Sequence, residues 1–168
     1  DEINRLLMPM LKTALKLHSM KPELKFAVSL NRQSIYERCL RVFDEFKKGT
    51  TAQMPQIEFY CGQTETLLQK ACAGIAASGT VTVECAIAGL PIVVSYRLNP
   101  LSYFFGKMLV SLPYFTMVNI ICGELVFREF LQDDVNPETL SNGLLEILPG
   151  GSRRAYVERK MIEMTNAI

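Results

Sequence analysis

The chain has 168 residues, of which 49% are apolar and 21% are charged. This is about the length of one domain, and it suffices to bury roughly two-thirds of the surface of the unfolded chain. The apolar fraction and the net charge of +1 exclude a disordered chain. Because 18 basic residues are balanced by 17 acidic ones, the composition also argues against a nucleic-acid-binding surface.

The five cysteines form no CxxC pair, and their number is odd. A disulfide framework or a zinc site therefore has little support, and we predict no metal and no cofactor. We expect each thiol to be a small buried hydrophobic group in a reducing cytoplasm. The longest apolar stretch, residues 108–122, contains Pro113 and Asn119 and is shorter than the ~20 residues that span a membrane.

Apolar residues recur at helical spacing in some segments and form short runs in others. The predicted helices cover residues 1–19, 34–48, 65–72, 81–88, 101–109, 126–132, 137–148 and 153–167. The predicted strands cover residues 25–30, 57–60, 73–77 and 92–96, and residues 110–123 are predicted as a loop. Pro9 predicts a kink or a restart in the first helix, Gly89 a C-terminal cap and Ser152 an N-cap. This alternation predicts an α/β fold with a Rossmann-like parallel sheet and helices on both faces.

One strand-to-helix turn carries candidate binding residues, Ser78, Gly79 and Thr80. In parallel sheets ligands bind beyond the carboxyl ends of the strands, and backbone N–H groups at a helix start attract phosphate. Glu84 lies one helical turn further on the same face, about 5–6 Å away, where it can accept hydrogen bonds from two sugar hydroxyls. The spacing suits a nucleotide with its diphosphate at the helix start and its ribose over Glu84. The alternative is that Ser78 only caps the helix and that Glu84 is a solvated helix residue.

Other patterns are weaker evidence for a binding or catalytic site. The chain has neither a GxGxxG nor a GxxxxGK[ST] nucleotide-binding motif. Residues 150–154 (GGSRR) could hold phosphate, but they are more typical of a turn between helices with basic residues in solvent. His18 is the only histidine, and no catalytic set can be built around it. The aromatic residues 103–105 could touch a lipid, but they favour a helix packed on the sheet.

A longer series of motifs follows the candidate turn. The segments SGTVTVE (78–84) and AGLPIVV (88–94) precede Tyr96-Arg97, NII with a glycine at 123, and EFLQ (129–132). In this order they resemble the C-terminal half of the lipid-A-disaccharide synthase family, B-type glycosyltransferases of Gram-negative bacteria. The resemblance covers residues 2–148, and EINR (2–5) matches a family motif that follows a Pro-Gly-Ser-Arg turn, which we expect just before Asp1. The SGT…E piece is shared with several nucleotide-sugar enzymes, whereas the later series is specific.

The resemblance implies a hexosyltransferase that moves 2,3-diacylglucosamine from UDP to 2,3-diacylglucosamine 1-phosphate. The products would be the β-1,6-linked lipid A disaccharide and UDP. Residues 1–148 would form the UDP-sugar-binding domain of a glycosyltransferase B-type fold, and residues 149–168 a C-terminal helix that packs on it or exchanges with a partner in a homodimer. The acceptor domain and the catalytic group would lie outside this chain. We therefore assign no catalytic residue here and expect the chain alone to bind UDP without turnover, in an enzyme that is cytoplasmic and peripheral to the inner membrane.

The resemblance also implies roles for individual residues. Ser78, Gly79 and Thr80 would contact the UDP diphosphate, and Glu84 would contact the ribose. Five further residues would line the cleft: Tyr96, Arg97, Asn119, Glu129 and Gln132. An alternative for Glu129 and Gln132 is that they hold the loop that carries Asn119.

Two other hypotheses stay open. The first is a different enzyme that uses UDP-GlcNAc. The muramyl-pathway GlcNAc transferase and the UDP-GlcNAc epimerase share the fold and a similar loop and helix, although the motifs from Asn119 to Gln132 argue against both. The other is a non-catalytic, self-associating α/β module, because Gly150-Gly151 before the last helix would allow exchange between two chains.

Overall fold

The computed structural model describes residues 2–97 and 113–167. The described helices are α1 (Glu2–Met20), α2 (Gln33–Gly49), α3 (Thr64–Lys70), α4 (Val81–Ile87), α5 (Met117–Cys122), α6 (Pro137–Ile147) and α7 (Arg154–Ala167). The described strands are β1 (Phe26–Leu30), β2 (Ile57–Cys61), β3 (Gly74–Ala77), β4 (Ile92–Tyr96) and β5 (Glu129–Leu131). A 3-10 turn, Gln132–Asp134, follows β5. The helix predicted for residues 101–109 lies outside the described residues.

The described strands form two parallel sheets. Strand β1 pairs with β2, with Phe26 opposite Ile57. The other sheet has the order β3-β4-β5, with Gly74 opposite Ile92 and Val94 opposite Glu129. Parallel neighbours need crossover connections, which the intervening helices supply. The predicted α/β class is confirmed, with parallel strands in two small sheets and helices around them.

Strand β4 is the buried centre of the three-stranded sheet. Each residue from Ile92 to Ser95 is at most 2% exposed. Because successive side chains of a strand point to opposite faces, both faces of the sheet must be covered. Helices α4 and α6 both pack on β3 and β4. A strand buried on both faces has a continuous apolar sequence, which explains why the sequence alone predicted it.

Helix α1 connects two hydrophobic clusters. The smaller cluster lies around α1 and α2, and its buried members are Leu7, Leu11, Cys39 and Phe46. The larger cluster surrounds β3, β4 and their helices, and it includes Leu17 of α1. Helix α7 buries Val157, Met161 and Met164 in this same larger cluster. The last helix therefore packs on the other elements of the chain, whereas its exchange with a partner stays a prediction.

Helix α1 is continuous through Pro9, so the restart predicted there does not occur. Proline has no N–H group, and the carbonyl of Arg5, one turn earlier, therefore lacks its helical donor. The guanidinium of Arg97 supplies a replacement, because its Nη1 donates to the Arg5 carbonyl at 3.3 Å. A residue 92 positions away thus satisfies the carbonyl that the proline leaves unpaired.

Two predicted elements are wrong. The loop predicted for residues 110–123 contains helix α5, and the helix predicted for residues 126–132 contains strand β5. Pairing with β4 decides the second case, because the amide of Val94 donates to the carbonyl of Arg128 at 2.8 Å. Such tertiary pairing overrides local propensity in short strands.

Two helix-end predictions differ in outcome. Gly89 has φ +72°, and Leu90 N donates to the carbonyl of Cys85 at 2.9 Å, so the predicted glycine cap is confirmed. Helix α7 begins at Arg154 and not directly after Ser152, so the predicted N-cap position is wrong.

The five cysteines are free thiols. Cys39 and Cys85 are buried as expected, but Cys72 is exposed, so the expectation is wrong for that residue. Burial, together with the nearby Glu84 carboxylate, raises the pKa of Cys85 to about 11. Among the described residues no helix is long and apolar enough to cross a membrane.

Helix α6 lies so close to the sheet that one glycine is required at the contact. A Cβ at Gly143 would stand 2.9 Å from the ring of Phe130 and 3.1 Å from the Val93 side chain. We predict that Gly143→Ala lowers the free energy of unfolding by about 1–3 kcal/mol, the usual cost of overpacking.

Urea denaturation measures this effect, with Gly49→Ala as the matched control. Gly49 lies in α2, and a Cβ there would meet nothing within 4 Å. The control should be neutral or stabilising, because alanine is favoured over glycine in a helix by about 1 kcal/mol. Equal stability of the two variants would contradict the close packing of α6 on the sheet.

Candidate functional site

Three chain segments with candidate residues meet at one edge of the three-stranded sheet. Ser78 follows β3, Arg97 follows β4, and Gln132 follows β5. All three strands are parallel, so their carboxyl ends lie at the same edge. Neighbouring strands are about 4.8 Å apart, which places the first and third segments roughly 10 Å from each other. This edge is where open α/β sheets bind ligands.

The turn from β3 into α4 leaves backbone amides and hydroxyls for a ligand. Thr82 N is the first amide to bond back into the turn, to the carbonyl of Gly79 at 3.2 Å, so the amides of 79–81 precede the helical bonds. Gly79 has φ +148°, a conformation that side chains rarely adopt. The Thr80 side chain makes no capping hydrogen bond, and Ser78 stands too early to cap α4. Capping therefore does not explain the two hydroxyl residues, and their contact with a diphosphate stays a prediction.

Glu84 is exposed on α4, one turn beyond Thr80. Its amide donates to the carbonyl of Thr80 at 3.2 Å, which fixes the two residues on the same side of the helix. Its neighbours Cys85 and Ala86 face the core and are 2% exposed. The Glu84 carboxylate therefore faces solvent on the same side as the turn, as a ribose contact would require.

Two residues at the end of β4 differ in environment. Tyr96 is half-buried and lies opposite Leu131 in the sheet. The Arg97 side chain turns toward backbone carbonyls, with Nε donating to Gln132 at 3.0 Å and Nη2 to Val135 at 3.2 Å. Arg97 thereby joins the ends of β4 and β5. The role of Tyr96 and Arg97 in lining a nucleotide cleft stays a prediction.

Asn119 is fully buried in α5, and its amide uses every hydrogen-bonding position it has. Nδ2 donates to the carbonyl of Phe127 at 2.7 Å and to Glu129 Oε1 at 2.9 Å. Oδ1 accepts from the amides of Val126 and Phe127 at 3.0 and 2.9 Å. An amide side chain offers two donors and two acceptor lone pairs, so all four are satisfied within the chain. In this structure Asn119 ties α5 to the segment that leads into β5.

Glu129 completes this polar network. Its Oε1 accepts from the backbone amides of Phe115 and Thr116 at 3.0 and 2.6 Å, as well as from Asn119. A carboxylate that binds backbone amides fixes the conformation of the segment that carries them. Glu129 therefore holds the chain that leads into α5. This contact corresponds to the holding role that the sequence offers as an alternative for Glu129, whereas its contact with a nucleotide cleft stays a prediction.

Gln132 has an unusual backbone conformation. Its φ is +53°, whereas the other positive values among the described residues belong to glycines. Its carbonyl accepts from Arg97 and also from Val135 N at 3.1 Å. A non-glycine residue in this region costs about 1–3 kcal/mol and persists only where the surroundings hold it. No local sequence pattern predicts this conformation, because glutamine is not a typical turn residue.

The basic residues near Gly150 are not in solvent, contrary to the expectation. Arg153 Nη2 donates to the carbonyls of Leu125 and Val126 at 2.9 and 3.1 Å. Arg154 donates to the carbonyl of Ile147 at 2.9 Å and pairs with Glu158 at 2.5 Å. The two guanidinium groups thus connect the start of α7, and the residue before it, to neighbouring parts of the chain.

A groove of about 630 Å³ between α1 and α2 contains none of the predicted site residues. Its walls are largely apolar and include Met8, Leu15 and Phe46. Within residues 2–97 and 113–167 no cluster of three or more His, Cys, Asp or Glu side chains could hold a metal ion. The carboxyl edge of the three-stranded sheet is therefore the better candidate for a polar, phosphate-bearing ligand.

Some residues that support the site from a distance are not among those predicted from the sequence. Pro9 and Arg5 matter because they provide a carbonyl for Arg97. Thr116 is fully buried and gives its amide to Glu129. A proline inside a strongly helical pattern was the one available signal, since it predicts an unpaired carbonyl one turn earlier.

The Asn119 network predicts a strong response to an isosteric change. Asn119→Asp would replace the two N–H donors by an oxygen and place a second carboxyl beside Glu129. We expect a loss of about 3–5 kcal/mol at pH 7, the cost of an uncompensated buried charge. The loss should shrink as the pH falls, because burial and the like charge raise the pKa of the new carboxyl and favour its neutral form.

Urea unfolding at pH 7 and pH 5 measures both effects. Asn166→Asp, at an exposed position of α7, is the control and should change stability by about 0.5 kcal/mol or less. A tolerated Asn119→Asp variant at pH 7 would show that the four hydrogen bonds do not hold this segment.

Comparison with known proteins agrees with the geometry. The family model described as lipid-A-disaccharide synthetase matches residues 1–167. The lipid-A-disaccharide synthase of Nitrosococcus oceani is 33% identical over 162 residues, which are 95% of this chain and 40% of the relative. The synthases of Enterobacter sp. and Yersinia pseudotuberculosis are 31% and 29% identical over 99% and 100% of the chain, and over 42% and 41% of their own lengths.

The chain thus spans about two-fifths of the length of these curated relatives. The family match extends over nearly all of it, including the turn after β3 and the motif residues of β4, α5 and β5. The chain therefore belongs to the lipid-A-disaccharide synthetase family.

Proposed function

We propose that this chain is the donor-nucleotide-binding part of a hexosyltransferase of lipid A biosynthesis. The observation that carries the proposal is the meeting of Ser78–Thr80, Arg97 and Gln132 at the carboxyl edge of one parallel sheet. Glu84 stands exposed one turn beyond this edge. Family membership supports the reaction class, and the carboxyl edge is the proposed place of the nucleotide.

The proposed reaction transfers 2,3-diacylglucosamine from UDP to 2,3-diacylglucosamine 1-phosphate. A hydroxyl oxygen of the acceptor forms the β-1,6 bond to C1 of the donor sugar and loses its proton, while the bond from C1 to UDP breaks. The acceptor site and the group that takes the proton belong to parts of the enzyme beyond this chain. This chain is proposed to hold the leaving nucleotide.

The proposed site does not need a strongly basic surface to bind a diphosphate. Amides that precede the helical bonds of α4 point toward an anion at the helix start, and each such interaction contributes about 0.3–1 kcal/mol. The hydroxyls of Ser78 and Thr80 add donors beside Gly79. A carboxylate next to the phosphates would repel them, whereas Glu84, one turn further, is at the right distance for ribose hydroxyls. This arrangement is compatible with the net charge of +1.

A place at the inner-membrane surface is part of the same proposal. Five large apolar side chains around α5 are 36–48% exposed: Phe115, Met117, Ile120, Ile121 and Leu125. Met117, Ile120 and Ile121 lie on one face of α5, because residues three and four apart are neighbours on a helix. Exposed apolar patches of this kind mark contacts with proteins or lipids. Acylated sugar substrates reside in a membrane, so this patch supports a peripheral location.

Calorimetric titration with UDP tests the nucleotide site. We expect the chain to bind UDP, and Glu84→Ala to weaken binding about tenfold or more, since a hydrogen bond to a charged group contributes about 1.5–3 kcal/mol. The 2′-deoxy analogue of UDP should bind the unmodified chain more weakly than UDP. In the Glu84→Ala variant, UDP and its 2′-deoxy analogue should bind with equal affinity.

The control for this titration is Glu65→Ala. Glu65 is exposed in the first turn of α3, after β2 of the other sheet, and its loss should leave the affinity for UDP unchanged. Failure of the unmodified chain to bind UDP would count against the proposed function. A ribose preference that survives in Glu84→Ala would count against the role of Glu84 alone.

Sedimentation with phospholipid vesicles tests the membrane contact. We expect the chain to bind vesicles weakly, and the double variant Met117→Ser, Ile121→Ser to bind at least fivefold less. Ile87→Ser is the control, because Ile87 is 56% exposed at the end of α4. An equal loss of vesicle binding in the double variant and in the Ile87→Ser control would argue against a specific lipid-facing patch. The absence of any loss in the double variant would argue against it as well.

A further inference from the structure

The groove between α1 and α2 is formed by one face of each helix. Its volume is about 630 Å³. Along each helix the lining residues recur three or four positions apart, which places them on a single face. They include Met8, Lys12 and Leu15 of α1 and Val42, Phe46 and Gly49 of α2. On α1 the lining runs from Asn4 to Leu15, a length of roughly 16 Å along the helix axis.

The floor of the groove is apolar, and its polar side chains lie at the rim. Met8, Leu15 and Val42 are half-buried and pack on the smaller hydrophobic cluster, to which the buried Phe46 belongs. The side chains of Lys12 and Glu45 are exposed, and a lysine keeps its charged end in water while its stem covers apolar surface. The floor therefore suits a hydrocarbon chain better than a sugar or a phosphate.

One end of the groove adjoins the candidate site. Asn4 lines the groove, and the carbonyl of the next residue, Arg5, accepts from Arg97 at the carboxyl edge of the three-stranded sheet. Consecutive Cα atoms are about 3.8 Å apart. The other end lies at residues 50–52, in the segment that leads into the start of β2. The groove thus runs away from the site, toward the side where β1 and β2 begin.

Gly49 leaves space at the groove. A Cβ at Gly49 would meet nothing within 4 Å, and Gly49 is not among the glycines with positive φ. A larger side chain at this position therefore needs no strained backbone, and it would occupy space in the groove itself.

We propose that this groove holds one acyl chain of the donor sugar whose nucleotide binds at the carboxyl edge. The apolar floor supplies the contacts for a hydrocarbon chain, and the end at Asn4 lies where a chain attached to the bound sugar can enter. Each buried methylene improves the affinity about fourfold. This inference rests on the proposed function, because the acyl chain belongs to the sugar that the nucleotide carries.

The first test compares two donors by calorimetric titration: UDP-N-acetylglucosamine, and UDP-2,3-diacylglucosamine with ten-carbon acyl chains. We expect the unmodified chain to bind the diacyl donor at least tenfold more tightly. In Gly49→Leu, which fills the groove, this advantage should fall at least fivefold, while the affinity for UDP-N-acetylglucosamine changes less than twofold. An undiminished advantage in Gly49→Leu would overturn the proposal.

Two controls accompany this titration. Gly49→Ala adds a single methyl group and should keep most of the advantage of the diacyl donor. Gln69→Leu places the same leucine at an exposed position of α3, outside the groove, and should change neither affinity. Gly49→Leu should not lower the melting temperature, since leucine is favoured over glycine in a helix. A loss of the advantage in Gln69→Leu equal to that in Gly49→Leu would overturn the proposal.

The second test locates the acyl chain through the methyl signals of ¹³C-labelled methionines. Met8 lines the groove, whereas Met117 belongs to the exposed apolar patch around α5. The diacyl donor should shift the Met8 signal, UDP-N-acetylglucosamine should not, and the shift should be absent in Gly49→Leu. A shift of Met117 without a shift of Met8 would place the chain on the α5 patch and overturn the proposal.

The outcomes separate this inference from the proposed function. If UDP-N-acetylglucosamine binds and the acyl chains add no affinity, the acyl site is overturned and the nucleotide site stands. If neither donor binds, the proposed function fails, and decyl glucoside below its micelle concentration then serves as the probe. A shift of Met8 with decyl glucoside would support the groove as a site for a hydrocarbon chain. The absence of that shift would overturn it and leave a segment of protein as the occupant.

Discussion

Burial of β4 on both faces is the constraint on which the rest of the structure depends. Residues Ile92–Ser95 are inaccessible to solvent or nearly so, and helices α4 and α6 pack on this strand. A strand covered in this way needs helical crossovers to its parallel neighbours. Every turn that leaves β3, β4 and β5 must then emerge at one edge. The candidate site is a consequence of this arrangement, since its residues come from three distant parts of the sequence.

The geometry of that edge depends on side chains that bind backbone groups. Asn119 and Glu129 together accept four amides and donate to one carbonyl, which holds α5 and the segment before it. Arg97 performs a similar task for Gln132 and α1. Polar side chains that bind the backbone in this way rigidify the structure around them. Among the described residues, the turn after β3 and the exposed Glu84 place polar groups toward solvent near this edge.

The sequence predicted those parts of the fold that local patterns determine. The apolar run of β4, the strand-to-helix turn at Ser78–Thr80 and the glycine cap at Gly89 are each encoded within a few residues. The sequence predicts a helix where β5 lies, because these three residues are a strand only through pairing with β4. The roles of Asn119 and Arg97 depend on partners that the fold brings together, and Arg97 and Arg5 are 92 positions apart. No local pattern contains that information.

The most direct measurement of the central claim is a titration of the ¹⁵N-labelled chain with UDP, followed by backbone amide chemical shifts. The account predicts that the largest changes occur at Gly79, Thr80 and Glu84, with smaller changes after β4 and β5. The amide shifts of residues at the opposite edge of the sheet, where the strands begin, should not change. Gly74 and Leu90 are two such residues. Changes confined to the groove between α1 and α2, or scattered over the surface, would contradict a nucleotide site at the carboxyl edge.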